Sequence, residues 1–269
     1  MIDARKSSMG IFKTFIDKYG DKKQFMGPYH LWIEAMENSV GYSCEEIFKK
    51  TKEARLKVIR GEAAYERDSV VFNEIQISWP LLAGLLWIAS KGNNSLNLLD
   101  FGGSLGSSYY QNRSFLSHLN VLKWNIVEQK PYVDWGKEKL CDSDLQFFNT
   151  MEECCSAVMP DTILLSGVLM YLESPYAFLS QVMDKKFKYV LLDRTTFLEE
   201  EQDVLMVQKV PLEIFDASYP CWFFSLKKIR DLFLHDYKLI AEFDGFEKAD
   251  VSGALFKGFI FERILRTGE

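Results

Sequence analysis

The sequence predicts an α/β protein: a seven-stranded, mainly parallel sheet with helices on both faces, an antiparallel last strand, and a helical cap ahead of the first strand. Three observations predict it. From residue 95 onward, short apolar runs alternate with helical stretches. The first run, Leu96-Asn-Leu-Leu-Asp100, breaks at once into the glycine-rich turn Phe101-Gly-Gly-Ser-Leu-Gly106. The last two runs are joined by a connection too short for a crossover helix, which makes them a hairpin.

Residues 30–92 carry helical spacing. Ser43-Cys-Glu-Glu46 reads as a capping box opening a helix that runs to Arg60, and Gly61 stands where a C′ residue belongs. A second helical segment is expected over 62–77. Ser78 can cap a third, in whose first turn Pro80 is tolerated. Arg67 and Asp68 stand out here, either as site residues or as a surface ion pair on a helix. Strands are expected at 96–100, 124–128, 145–148, 162–166, 189–193, 238–243 and 256–261. After the fifth of these, the stretch 210–224 is long and aromatic. It reads as a lid, or as core filling by Phe215, Trp222 and Phe223. The expected division is a helical cap over 1–92 and a ligand-binding domain over 93–269.

Composition narrows the classes. Apolar residues make up 48% of the 269, ample for a core, and the net charge of −6 speaks against a nucleic-acid backbone as partner. Five cysteines (Cys44, Cys141, Cys154, Cys155, Cys221) show no Cys-x-x-Cys spacing, and there are only three histidines. No metal site is expected, and reduced thiols fit a cytoplasmic location. The first ten residues lack an apolar core of the secretory type. The longest apolar run, 79–89, contains Pro80 and is too short to span a bilayer, so no integral membrane segment is expected. Near the N-terminus Ile11, Phe12, Phe15 and Ile16 fall at helical spacing among basic residues. They read as a weak membrane-surface helix or as a docked terminal helix.

The chemistry concentrates at strand ends. Strand, acid, glycine turn and helix build a nucleotide-sized pocket at a strand's carboxyl end. Asp100, Gly102, Gly103, Ser104 and Gly106 are therefore candidate cofactor contacts. Glu128 ends the second strand, 22 residues beyond Gly106, where a carboxylate can accept hydrogen bonds from both hydroxyls of a ribose; Gln129 follows it. Ser166-Gly167 closes the fourth strand and Asp193-Arg194 the fifth. Asp193 and Tyr171 are the candidate catalytic bases, and Arg194, Tyr219 and Trp222 the candidate substrate contacts. Asp193-Arg194 also reads as a buried structural pair.

Asp100-x-Gly-x-Ser-x-Gly106 with an acid at Glu128 resembles the class I S-adenosylmethionine-dependent methyltransferases, which have a Rossmann-like domain. Ser104 replaces the usual middle glycine. A narrower resemblance rests on Glu62-Ala-Ala-Tyr-Glu-Arg-Asp-Ser69, Gln76-Ile-Ser-Trp-Pro80, Leu99-Asp-Phe-Gly-Gly-Ser-Leu-Gly-Ser-Ser-Tyr109, Trp124-Asn-Ile-Val-Glu-Gln129 and Tyr219-Pro-Cys-Trp-Phe-Phe-Ser225. These stretches are similar to a little-characterised bacterial methyltransferase family associated with surface-polysaccharide gene clusters, over roughly residues 30–262. The resemblance implies S-adenosyl-L-methionine as cofactor. Asp100 and the glycine turn would hold its methionine end, and Glu128 its ribose. Ser166 and Gly167 would lie beside the methyl, with Asn149 against the adenine unless it is an ordinary turn residue. It implies methyl transfer as the reaction class without supplying a substrate; the acceptor expected is a small molecule or glycan-related. Oxygen is favoured, because the Asn/Asp-Pro-Pro-Tyr signature of base amino methylation is absent.

Other readings stay open. Gly102-Gly-Ser104-Leu-Gly106 is formally the nucleophile elbow of a serine hydrolase, with Asp193 and His235 following in triad order, although only helices are expected before it. A dinucleotide fingerprint would need glycines where Ser104 and Ser107 stand. Met170 occupies a place where many methyltransferases have a histidine. That leaves the general base unassigned and keeps alive a catalytically inactive cofactor-binding scaffold.

Overall fold

The computed structural model describes residues 24–40, 44–210 and 217–265. Ser43 of the expected capping box, Phe215 and the apolar set between residues 11 and 16 lie outside them.

Seven strands form the centre: β4 (Ser95–Phe101), β5 (Val121–Val127), β6 (Leu145–Phe148), β7 (Thr162–Ser166), β8 (Tyr189–Leu198), β11 (Tyr237–Asp244) and β12 (Leu255–Arg263). They lie in the order β6-β5-β4-β7-β8-β12-β11, parallel except β12, which runs antiparallel to both β8 and β11. The order reverses between β4 and β7, and such a switch point opens a crevice at the strands' carboxyl ends. Each expected strand is present. β8 alone runs well past its expected end, and that extension carries the remainder of the sheet.

Helices cover both faces. On one, α3 (Trp79–Lys91), α4 (Ser107–Leu116) and α5 (Lys130–Lys139) bury Leu85, Tyr109 and Val133 against Leu98, Trp124 and Leu191. On the other, α6 (Met151–Val158), α7 (Pro175–Asp184) and α8 (Leu226–Leu234) bury Cys154, Leu179 and Phe233 against Leu99, Ile163 and Val190. Neighbouring residues of one strand enter opposite cores, the two-residue period of a strand buried on both faces.

Before the central strands, the sequence expectation holds in part. α2 (Cys44–Ile59) ends as expected at Gly61 (φ +75°). Gly61 N–H donates to Val58 O at 3.0 Å and Glu62 N–H to Lys57 O at 2.9 Å, a Schellman closure that a glycine at C′ permits. α3 starts after Ser78 with Pro80 in its first turn, although the Ser78 side chain makes no cap bond.

Residues 62–77 are not a helix. They fold as a hairpin of β2 (Tyr65–Arg67) and β3 (Val70–Phe72), whose two turn residues, Asp68 (φ 52°) and Ser69 (φ 68°), are both left-handed. The expected cap is therefore of mixed structure. Farther upstream, β1 (Phe25–Tyr29) is a strand, followed by the short helix α1 (Trp32–Glu37).

The aromatic stretch expected as a loop is strand from Ser218 onward. β9 (Val204–Lys209) and β10 (Ser218–Ser225) pair antiparallel, β1 adds to the free edge of β9, and β10 joins the extended end of β8 through Phe224 and Ser225. This three-stranded part, the second sheet, continues the first through the pairing of β10 with β8, so that ten strands are joined. α1 covers one of its faces through Ala35, Leu205 and Val207. Phe223 and Phe224 are fully buried and share one core with β8 and β12; for Phe223 this is the core-filling reading.

Candidate functional site

The glycine turn lies where β4 meets α4. Gly102 (φ 71°), Ser104 (φ 53°) and Gly106 (φ 87°) are all left-handed, and Gly102 N–H donates to Val127 O at 2.9 Å. Ser104 thus adopts the backbone a glycine would take more readily. A Cβ on Gly103 would lie 2.6 Å from the Asp100 carboxyl carbon, and one on Gly102 2.6 Å from Val168 Cγ2. The turn can press against both neighbours only without side chains.

Two cavities meet at this turn. The larger, about 680 Å³, runs from Glu128 and Tyr132 past Gly102, Ser104, Gly167 and Val168 to Tyr171 and Tyr219. Its size is that of a small-molecule site. The smaller, about 40 Å³, is enclosed by Asp100, Gly103, Ser107, Ser166, Asp193 and Arg194, among others.

Carboxylates line both, alongside Arg67 and Arg194. Asp100 is buried, accepts a hydrogen bond from Trp124 Nε1 at 2.9 Å, and is pushed up to about 7, chiefly by burial. Asp193 is buried and accepts from Ser166 Oγ at 2.8 Å; burial raises it too, against the opposing pull of Arg194 and Ser166. Glu128 accepts from its neighbour Gln129 N–H at 2.6 Å and from the Ser104 backbone, and is likewise raised by burial.

Arg194 joins the walls. It sits in left-handed backbone (φ 51°) within β8. Its Nη2 donates to Asp68 Oδ2 at 2.6 Å and its Nε to Glu247 Oε1 at 2.7 Å. The turn of the β2–β3 hairpin and the β11–β12 connection are thereby tied to the end of the central sheet. Asp68 is therefore no helix-surface charge: its partner lies 126 positions away, and it lines both cavities. Beside it Glu66 is fully buried and accepts from Ser107 Oγ, in the first turn of α4, at 2.6 Å. Burial pushes Glu66 up to about 7.

At the far end of the larger cavity, the second sheet presents a row of side chains. Phe25 of β1, Gln208 of β9 and Tyr219 of β10 are direct cross-strand neighbours, and all three line the cavity. The Tyr171 hydroxyl donates to Gln208 Oε1 at 2.9 Å, and its ring meets Tyr219 edge-on at 5.1 Å. Burial drives the Tyr171 phenol well above its ordinary range. It keeps its proton and spends it on Gln208, so the base role expected of it is not supported here.

The expected residues thus divide. Asp100, Gly102, Gly103, Ser104, Glu128, Ser166, Gly167, Asp193, Arg194, Tyr171 and Tyr219 line one or both cavities. Gly106, Gln129, Asn149 and Trp222 line neither. Gly106 caps α4, packed against Tyr110, and Gln129 caps α5. Exposed Asn149 donates its backbone N–H to Glu153 Oε2 at 2.9 Å, supporting the start of α6, which is the turn reading. Trp222 donates to Leu172 O at 3.1 Å and stacks on Trp32. The sequence reading missed Gln208, Glu247 and Glu66. Glu66 lay within a quoted stretch; Gln208 and Glu247 left no local signal.

No protein-family model matches the chain, and no curated protein is similar to it in sequence. Solved structures with a similar fold include 1,6-didemethyltoxoflavin-N1-methyltransferase from Burkholderia thailandensis, with bound 1,6-didemethyltoxoflavin and S-adenosylhomocysteine. It is 10% identical, with a TM-score of 0.48, over 92% of this chain and 98% of that one. Another is magnesium protoporphyrin IX methyltransferase from Synechocystis PCC 6803 with bound S-adenosylmethionine, 11% identical with a TM-score of 0.44, over 97% and 100%. Likeness of this order carries no activity from one chain to another. Among the described residues no cluster of His, Cys, Asp and Glu could hold a metal ion, and no helix is long and apolar enough to cross a membrane.

Proposed function

We propose that the chain transfers a methyl group from S-adenosyl-L-methionine to a hydroxyl of a small-molecule or glycan-related acceptor. The observation that carries this reading is the convergence, on one cavity, of Glu128 at the end of β5 with the glycine turn at the end of β4. The chain's own atoms fit the group. The turn admits no Cβ at Gly102 or Gly103, and Asp100 and Asp193 offer carboxyl groups to the positively charged end of a ligand. When bound, the cofactor supplies an electrophilic methyl on a cationic sulfur.

Glu128 would accept the ribose hydroxyls. Asp100 and the backbone of residues 102–104 would hold the methionine end in the smaller cavity. Asp193, fixed by Ser166, faces that end too, so its role would be to balance positive charge there. Arg194 and Tyr219 would contact the acceptor, while Gln129, Asn149 and Trp222 support their elements. Alignment and exclusion of water would be the main contribution to rate. The glycan-related acceptor is a proposal that the family resemblance does not supply, and cysteines without Cys-x-x-Cys spacing fit a cytoplasmic place. A serine-hydrolase reading lacks its base: His235 is exposed at the end of α8, beside Asp236, and lines neither cavity.

Calorimetry with S-adenosylhomocysteine tests the reading. The chain should bind it and ignore NAD. Glu128→Ala should lose most of the affinity while keeping its unfolding temperature without ligand. A chain that binds NAD, or neither compound, is no methyltransferase of this kind.

A further inference from the structure

The far end of the larger cavity is furnished with hydrogen-bond donors and aromatic faces. Gln208 gives its carbonyl to Tyr171, which leaves its Nε2 hydrogens for a ligand. Tyr219, on the next strand directly opposite Gln208, lines the cavity beside it. Lys248, on the β11–β12 connection, lines the same cavity and makes no ion pair among the described residues. Phe25, Met170, Phe246 and Phe256 supply apolar surface. Flat aromatic walls with a few directed donors recognise a flat ring bearing electron-rich oxygen.

Among the described residues a strong base is missing at this end. His30, His118 and His235 do not line the cavity. The Tyr171 phenol is engaged as a donor, and burial raises Tyr219 as well. Asp68 and Glu247 are bound by Arg194, which with Arg67 outweighs the effect of burial and holds both below the ordinary carboxylate range. Asp250, at the rim, accepts the Gln24 N–H at 2.9 Å. An alcohol would have to lose a proton to one of these groups during attack.

We infer that the acceptor is a planar phenol or enol that binds already ionised, its oxyanion held by Gln208, Tyr219 and Lys248. The inference rests on the methyl-transfer reading and narrows its acceptor. In the step, the acceptor oxygen forms a bond to the methyl carbon while the carbon–sulfur bond breaks and its electron pair stays on sulfur. An anion and a cation become two neutral molecules, and no proton moves. Tyr171 acts through Gln208, as a positioning residue.

The test uses the full chain saturated with S-adenosylhomocysteine and 4-nitrophenol as probe, since the phenolate is read by its visible absorbance. Binding should raise the ionised fraction at fixed pH. Lys248→Met and Gln208→Leu should each weaken phenolate binding about tenfold while leaving S-adenosylhomocysteine binding unchanged. Tyr171→Phe should weaken it less, because Gln208 remains. With S-adenosylmethionine, methylation of 4-nitrophenol should rise with pH as the phenol ionises, and Asp250→Asn should methylate as the parent does. Loss of turnover in Asp250→Asn would overturn the inference, as would methylation of methyl β-D-glucopyranoside or benzoate in place of the phenol. Binding of S-adenosylhomocysteine without 4-nitrophenol would remove this inference alone. Failure to bind S-adenosylhomocysteine would remove the reading beneath it.

Discussion

At the scale of single residues, the glycine turn and its acids define what the molecule tolerates. Gly103→Ala places a methyl against the Asp100 carboxyl, and overpacking of this kind costs about 1–3 kcal/mol. We expect a lower unfolding temperature and weaker S-adenosylhomocysteine binding, read by scanning calorimetry and titration. Asp100 and Glu66 make stability depend on pH. Both lie near 7 in the folded chain, against an unfolded value of about 4. Between these values the folded chain holds protons that the unfolded chain has lost, so stability is fullest below the window and falls as pH rises towards 7. Urea midpoints should decline across that range, and Asp100→Asn should flatten the decline; an unchanged slope would contradict the burial argument. The acids at strand ends were legible because a parallel sheet gathers polar groups there. Asp68 drew notice as a charge, but its partner could not be read, since 126 positions separate it from Arg194. Glu247 meets Arg194 only once β12 has paired with β8.

Among elements, the legible ones carry their own periodic signal. The seven central strands are apolar runs bounded by turns, and the Schellman end of α2 is written in Gly61. The hairpin over 62–77 was misread because its strands have three residues each, too few to distinguish an alternating pattern from a helical one. β10 escaped notice for another reason. Its run Tyr-Pro-Cys-Trp-Phe-Phe is hydrophobic throughout, and what makes it a strand is β9 on one side and the extension of β8 on the other. The hairpin depends on a contact outside itself. Arg194→Met should release Asp68, so amides such as Ala64, which donates to Phe72 O, should exchange with deuterium faster than in the parent. Unchanged exchange would mean that β2 and β3 hold their place through α2 and α4 alone.

Taken whole, the second sheet is an outgrowth of the central one and shares the core on one of its faces. Phe224 of the second sheet lies 6.2 Å from Phe197 of β8, and Phe25 and Phe223, edge-on at 5.0 Å, belong to the same buried core as Phe197 and Phe259. These contacts make the added sheet part of the same cooperative unit. Phe223→Ala should cost about 3–5 kcal/mol. Its unfolding temperature should fall by about 2–4 °C for each kcal/mol, still in one calorimetric transition. A second, earlier transition would show that the added sheet melts independently. Arg194 has a wider consequence. It is borne by the central sheet, clasps the hairpin that walls both compartments, and clasps the loop that walls the larger. Any ligand group that draws the guanidinium away slackens both enclosures together, so filling one chamber is felt in the other without any long chain of intervening contacts.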